Sequence, residues 1–321
     1  MDRSLIYETP MLKALTQLAS LAAWLWLTLV PAPASAAATE SHSIAIDGRP
    51  RSYRLHIPSG LSDTAPAPIV LVFHGGGSNG RGMERFTGFS RLADREAFIV
   101  VYPDAVDGNW VDGREGLRTK AHREGVDDIA FIAALLDELA RRHPVDAKRV
   151  FATGISNGGI FSHYLAANLA DRIAAIAPVA GGLADPFYRS FAPSRPVSVF
   201  ILQGAADPLM PFDGGAVAFR RGQIIATDET VRLWRQLDRT RALPATGVLP
   251  DIDPGDGCRV RWSSWGGGRL NTEVLLYVQE GAGHTWPGGS QYLPKSVIGG
   301  VCRDFDATQA IWDFFKAHPR P

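Results

Sequence analysis

The constraint that most limits this chain is a set of short apolar runs spaced along it. Residues 69–73 (Ile69-Val70-Leu71-Val72-Phe73) are apolar at every position, and 98–102, 149–153 and 197–202 are largely so. A strand with one face in water alternates apolar and polar side chains. A strand that is apolar throughout has both faces covered, as in a parallel sheet between two helix layers. Helical stretches separate the runs, most clearly at 127–141, where Ile129, Ile132, Leu135, Leu136 and Leu139 share one face. Strands alternating with helices predict an α/β fold, with a mostly parallel central sheet flanked by helices and right-handed crossovers. At its two ends the pattern changes. Residues 43–57 alternate as a strand pair turned by Asp47-Gly48. Residues 258–264 and 273–279 read as two strands joined at Gly266-Gly267-Gly268, and a last helix over 306–317 carries Ile311, Trp312, Phe314 and Phe315 for the core.

The length of 321 residues at 45% hydrophobic composition is enough for one large core. Basic and acidic residues balance at 33 each, so no net field gathers nucleic acid or an anionic membrane. Residues 14–30 are almost uncharged and apolar, Lys13 flanks them, and Ala34-Ser35-Ala36 matches a small-x-small cleavage pattern. The expectation is a signal peptide over 1–36, with Met11 an alternative start, and a single catalytic domain over 37–321 without a separate lid. After cleavage no stable membrane anchor is expected, and the protein is placed in the periplasm or the medium. Cys258 and Cys302 are the two cysteines, an even count that permits one disulfide in an exported chain.

The chemistry is carried by four short motifs. Gly154-Ile155-Ser156-Asn157-Gly158 follows a predicted strand and precedes a helix-like segment at 158–169. That is the context of a nucleophile elbow, in which a strained turn lifts the serine above the sheet. An acid and a histidine should follow in that order. Asp207, in Gln203-Gly204-Ala205-Ala206-Asp207-Pro208, leaves the strand at 197–202 on the edge that also holds Ser156; Asp213 is its nearest rival. His284, in Gly283-His284-Thr285-Trp286-Pro287-Gly288, is the predicted base, and its flanking glycines let the loop reach back over the sheet. His74-Gly75-Gly76-Gly77 follows the first buried strand and supplies an oxyanion loop, with N–H donors expected from Gly76 and Asn157. His74 itself reads as a structural hydrogen-bonder. Trp110 and Trp286 are candidates to line an acyl or alcohol pocket. His42, His56, His122, His143, His163 and His318 stand alone, and no His, Cys or carboxylate pair has zinc spacing. No metal and no cofactor is expected.

In this order the motifs resemble esterases of the polyhydroxybutyrate depolymerase type, a group that includes feruloyl and acetyl-xylan esterases. The resemblance rests on His74-Gly75-Gly76, Tyr102-Pro103-Asp104, Val126-Asp127-Asp128, Gly154–Gly159 and Gly283–Gly288, and covers roughly 50–317. It implies an α/β-hydrolase fold and cofactor-free ester hydrolysis through an acyl-enzyme, with Ser156 as nucleophile, Asp207 as acid and His284 as base. The implied substrate is a hydroxyalkanoate oligomer or a plant-wall phenolic or acetyl ester. The alternatives are an acetyl-xylan esterase or a serine peptidase on the same fold. Relatives often carry Cys and Gln in the loop after the first His-Gly, where this chain has Gly76-Gly77-Ser78. The sequence shows neither a linker nor a polymer-binding module, which favours soluble oligomers or phenolic esters over solid polyester.

Overall fold

Alternate residues of the central strands face opposite sides, and both sides are covered. In the computed structural model, which describes residues 38–62 and 64–321, Ile69, Leu71, Phe73, Ile99, Val101 and Ile176 belong to one buried cluster. Their sequence neighbours Val70, Val72, Val100, Tyr102, Ala175 and Ala177 belong to another. Two dry faces explain why these strands read as unbroken apolar runs. The leader expected over 1–36, including Met11, lies outside the described residues, and Ala37–Pro321 forms one compact unit.

The strands are β1 (Glu40–Ile46), β2 (Arg49–His56), β3 (Ala67–Phe73), β4 (Ile99–Pro103), β5 (Val145–Ile155), β6 (Ala175–Val179) and β7 (Ser198–Gly204), then a short pair β8 (Gly215–Ala216) and β9 (Gln223–Ile224), and finally β10 (Ala245–Val248), β11 (Arg259–Trp265) and β12 (Val274–Glu280). Ten of them form one sheet in the order β1-β2-β4-β3-β5-β6-β7-β12-β11-β10. The stretch from β4 to β12 is parallel. The hairpins at either end add antiparallel strands. The first hairpin turns at Asp47 and Gly48, both with positive φ (50° and 73°), as a tight two-residue loop requires.

The helices of two turns or more are α1 (Gly80–Thr87), α2 (Phe89–Glu96), α3 (Asp128–Arg142), α4 (Asn157–Asn168), α5 (Thr227–Asp238) and α6 (Ala307–Ala317). Phe131 and Leu135 of α3, Phe161 and Leu165 of α4 and Trp234 of α5 cover the first face. Phe89 and Leu92 of α2 and Ile311, Trp312 and Phe315 of α6 cover the second. The indole of Trp312 lies parallel to Phe98 with ring centroids 3.9 Å apart, so α6 does pack on the sheet as its aromatics imply. Among the described residues no helix is long and apolar enough to cross a membrane. The motif residues follow β3 (His74), β5 (Ser156), β7 (Asp207) and β12 (His284). All four therefore leave the parallel sheet at its carboxyl edge, the edge where open α/β sheets gather ligands.

Candidate active site

Ser156 sits between β5 and α4 with φ 58° and ψ −122°, a conformation that costs a non-glycine residue of order 1–3 kcal/mol. Backbone bonds hold it there. Its N–H donates to the Val179 carbonyl at 3.0 Å, and its carbonyl accepts from Ile160 at 2.9 Å. The flanking glycines are required by contact. A Cβ on Gly154 would stand 2.6 Å from the Phe73 carbonyl oxygen, and one on Gly158 would stand 2.4 Å from the same atom. Only bare backbone lets β3, β5 and α4 cross this closely.

Asp207 and His284 are buried and adjacent, with Oδ2 2.8 Å from Nδ1. The other carboxylate oxygen of Asp207 accepts from the N–H groups of Leu209 and Met210, each at 2.8 Å, so the carboxylate is gripped from its own turn. The loop that carries His284 is tied to that turn, because Ala206 N–H donates to the Ala282 carbonyl at 3.0 Å. A Cβ on Gly283 would meet the Ile298 carbonyl oxygen at 2.0 Å, which is why the residue before the histidine must be glycine. His284 N–H donates to that same carbonyl at 2.6 Å. The carbonyl of His284 accepts from the Tyr292 hydroxyl at 3.0 Å. Burial pushes the Tyr292 phenol up to about 12, so it stays a neutral donor at physiological pH. Asp213 is exposed and takes no part in this arrangement.

The loop after β3 is built around His74. Its Nδ1 lies 2.8 Å from the Gly75 carbonyl, and its Nε2 accepts the Ala105 N–H at 3.1 Å. These partners fix one neutral tautomer, and burial lowers the imidazole's affinity for a second proton. The Trp110 indole N–H donates to the His74 carbonyl at 3.0 Å. Asn157 closes the circuit. Its side-chain oxygen accepts from Trp110 N–H at 2.9 Å, and its amide donates to the Trp110 carbonyl at 3.1 Å and to Asp112 at 2.6 Å. Asp112 in turn holds the Arg114 guanidinium through two nitrogens. Gly76 and Asn157 are neighbours: a Cβ on Gly76 would lie 3.8 Å from that of Asn157. Asn157 begins α4, where helix N–H groups have no partner within the helix.

Ser156, His284, Gly75 and Gly76 border one cavity of about 430 Å³. Its remaining wall is mostly apolar, with Met83 and Phe86 from α1, Leu209 and Met210 after Asp207, and Phe219 and Leu293. No hydrogen bond joins Ser156 to His284 among the described residues; both line this cavity.

Trp110 and Trp286 correct the sequence reading, since neither borders the cavity. Trp110 is fully buried and lies flat on Phe161, with centroids 4.8 Å apart. Trp286 is also buried, donates to the Thr308 hydroxyl at 3.0 Å and meets Phe86 edge-on. Each supports a site element from behind. The sequence signal was nearness in number, and the loop turns both rings inward. The side-chain clasp of Asn157, the amides of Leu209 and Met210, and the wall from α1 carried no sequence signal. Cys258 and Cys302 are bonded to each other and span 44 residues. Asp304 lies beside them, but paired sulfurs offer a metal no thiolate.

Together with the fold, the comparisons with known proteins define a carboxylic ester hydrolase of the α/β-hydrolase class. Residues 51–192 match the family model described as "Esterase PHB depolymerase". The chain is 31% identical over 290 residues to a protein of Nocardia uniformis subsp. tsuyamanensis described as "Putative esterase NocK", covering 86% of this chain and 82% of that one. It is 32% identical over 134 residues to "Poly(3-hydroxyalkanoate) depolymerase C" of Paucimonas lemoignei, covering 40% of this chain and 30% of the relative. The chain also spans only 42% of "Feruloyl esterase B" of Piromyces equi, at 26% identity over 73% of this chain. Among solved structures, the acetyl xylan esterase of Aspergillus awamori superposes with a TM-score of 0.56 at 17% identity, covering 77% of this chain and 94% of that one, a likeness of fold alone. The chain belongs to the esterase family of the polyhydroxybutyrate depolymerase type.

Proposed function

We propose that the protein is an exported serine esterase acting through an acyl-enzyme. The Ser156 hydroxyl attacks the ester carbonyl while Nε2 of His284 takes its proton. Asp207 keeps the proton of Nδ1 in place and stabilises the imidazolium that forms. The N–H groups of Asn157 and Gly76 receive the oxyanion, where the positive end of α4 adds to the field. His284 then protonates the departing alcohol, and a water deprotonated by the same nitrogen releases the acid. The observation that carries this reading is the 2.8 Å contact between buried Asp207 and His284, with Ser156 and His284 on one cavity wall. The apolar wall suits esters with aromatic or alkyl parts, in keeping with relatives named as feruloyl esterases and hydroxyalkanoate depolymerases. No nucleic acid and no cofactor enters the proposed reaction.

Ser156→Ala is the test, with a short nitrophenyl ester and thermal unfolding followed together. Loss of roughly four orders of magnitude or more in kcat with unchanged unfolding is expected. Retained hydrolysis in that variant removes the assignment. Export is supported by the apolar leader before Ala34-Ser35-Ala36 and by the Cys258–Cys302 disulfide. N-terminal sequencing of protein recovered outside the cytoplasm should begin at Ala37; an intact leader there overturns the export reading.

A further inference from the structure

Ser156 borders a second cavity, of about 210 Å³, whose chemistry is opposite to the first. Ser156, Met210, Val217 and Arg221 are common to both. The second cavity adds Arg114, Arg118, Lys120 and Arg123, against Asp107 as the one carboxylate on its wall among the described residues. Arg114 is neutralised by Asp112. Among the described residues, Arg118, Lys120, Arg123 and Arg221 have no carboxylate partner; the neighbouring Glu124 is taken by Arg49.

One end of the cationic wall, at Arg221, is fastened to the nucleophile's own helix. Asn157 holds Asp112, Asp112 holds Arg114, and Arg114 donates to the Arg221 carbonyl at 2.6 Å. The Arg221 guanidinium reaches the loop after β3, 3.0 Å from where a Gly76 Cβ would stand. Four exposed cations without a carboxylate partner, on a cavity that the nucleophile also borders, raise the local concentration of anionic substrates and anchor them. The direction of the substrate follows from His284, which borders the apolar cavity and not the basic one. The alcohol oxygen must come within reach of that imidazole to be protonated. The alcohol therefore leaves into the apolar cavity, and the acyl chain points toward the cations.

We propose that the substrates are half-esters of dicarboxylic acids: an acyl group ending in a carboxylate, joined to an apolar alcohol. The inference rests on the serine-esterase reading of Ser156. In the reaction the Ser156 Oγ–acyl bond forms as the alcohol leaves with a proton, and water then releases the dicarboxylate and regenerates the hydroxyl.

Three esters matched in length test it: mono-1-naphthyl adipate, neutral 1-naphthyl hexanoate, and the hexanoyl ester of a hydroxynaphthoic acid, which carries its anion on the alcohol side. Partly exposed cation–carboxylate contacts each give up to a few-fold, so the wild-type protein should favour adipate over hexanoate by roughly tenfold in kcat/KM. The preference should shrink as salt is raised. Arg118→Gln combined with Lys120→Gln should lower the adipate-to-hexanoate ratio by about three- to tenfold, and Arg141→Gln, on the far end of α3, should leave it unchanged. Hexanoate turnover equal to or faster than adipate, or a preference for the hydroxynaphthoate ester, overturns the inference while leaving the esterase reading intact. Hydrolysis of none of the three, with Ser156 inert to a fluorophosphonate, sinks both.

Discussion

Replacing Asp207 with asparagine changes the orientation of His284 with little change in shape. One carboxylate oxygen of Asp207 accepts from Leu209 and Met210 N–H at 2.8 Å each, and the other faces His284 Nδ1 at 2.8 Å. An asparagine keeps its carbonyl oxygen on the two amides. Turning it over would set NH2 against two buried N–H groups, at about 1–3 kcal/mol for each donor left unpaired. The asparagine NH2 then donates to Nδ1, so Nδ1 carries no proton and Nε2 does. Nε2 is the nitrogen that must accept from Ser156, and the base is blocked. A wrong-tautomer triad loses roughly 10³–10⁴ in kcat, equivalent to about 4–5.5 kcal/mol of barrier. Folding should lose far less, about 1 kcal/mol, because a charge-assisted hydrogen bond becomes a neutral one. The assay is kcat on a nitrophenyl ester beside the urea midpoint, with Asp213→Asn as the control that should stay near wild type. A folded Asp207→Asn protein within about tenfold of wild-type kcat refutes the reasoning, as does greater damage from Asp213→Asn.

Gly158→Ala should destabilise the fold by about 3 kcal/mol and abolish most activity, because its methyl would meet the Phe73 and His74 carbonyl oxygens at 2.4 and 2.7 Å; an unchanged denaturation midpoint contradicts the packing argument. Replacing Cys258 and Cys302 together by serine opens a loop spanning 44 residues. The expected loss is about 4 kcal/mol on loop entropy alone, read from unfolding with and without reductant. Asp238 is buried, with Oδ1 accepting from Val197 N–H, and burial pushes its carboxyl from 3.8 up to about 8. A raised acid binds its proton more tightly when folded. Its contribution is therefore full below pH 4 and declines as pH climbs toward 8. Asp238→Asn should flatten the stability–pH curve across that window; an unchanged slope overturns the reading.

What the sequence disclosed follows from where a signal is local. The apolar runs at 69–73 and 98–102 announced β3 and β4 because both faces of those strands are dry. Ser156, Asp207 and His284 stand out in the sequence because each follows a strand within a few residues, in a turn with its own composition. β6 escaped notice because it is five residues long and contains Pro178. α1 and α2 were also missed: each is eight residues long and presents few apolar positions, so a 3.6-residue period has no room to declare itself. The cavity wall suffers from the same limit. Phe86 and Met83 face Ser156 across some seventy positions of sequence, and no local pattern says so. The two tryptophans failed for the converse reason: closeness in number to His284 or to the β4 loop does not fix which way a ring turns.

The strained serine and the loop after β3 are one mechanical unit. Ser156 stores of order 1–3 kcal/mol in its backbone, and the turn could relax if β5 and α4 were free to separate. They are not free, because Gly154 and Gly158 sit against the Phe73 carbonyl, and β3 runs straight from Phe73 into His74. His74 is held by Trp110, Trp110 by Asn157, and Asn157 is the first residue of the helix that starts at the serine. The loop that offers Gly76 and the helix that offers Asn157 therefore cannot drift apart without breaking several buried hydrogen bonds. Trp110→Phe keeps an aromatic ring against Phe161 but removes the bond to the His74 carbonyl, along with part of a fully buried ring. If the coupling is real, its kcat should fall by more than its stability does, with the KM for a short ester little changed. A loss of stability alone would reduce Trp110 to packing.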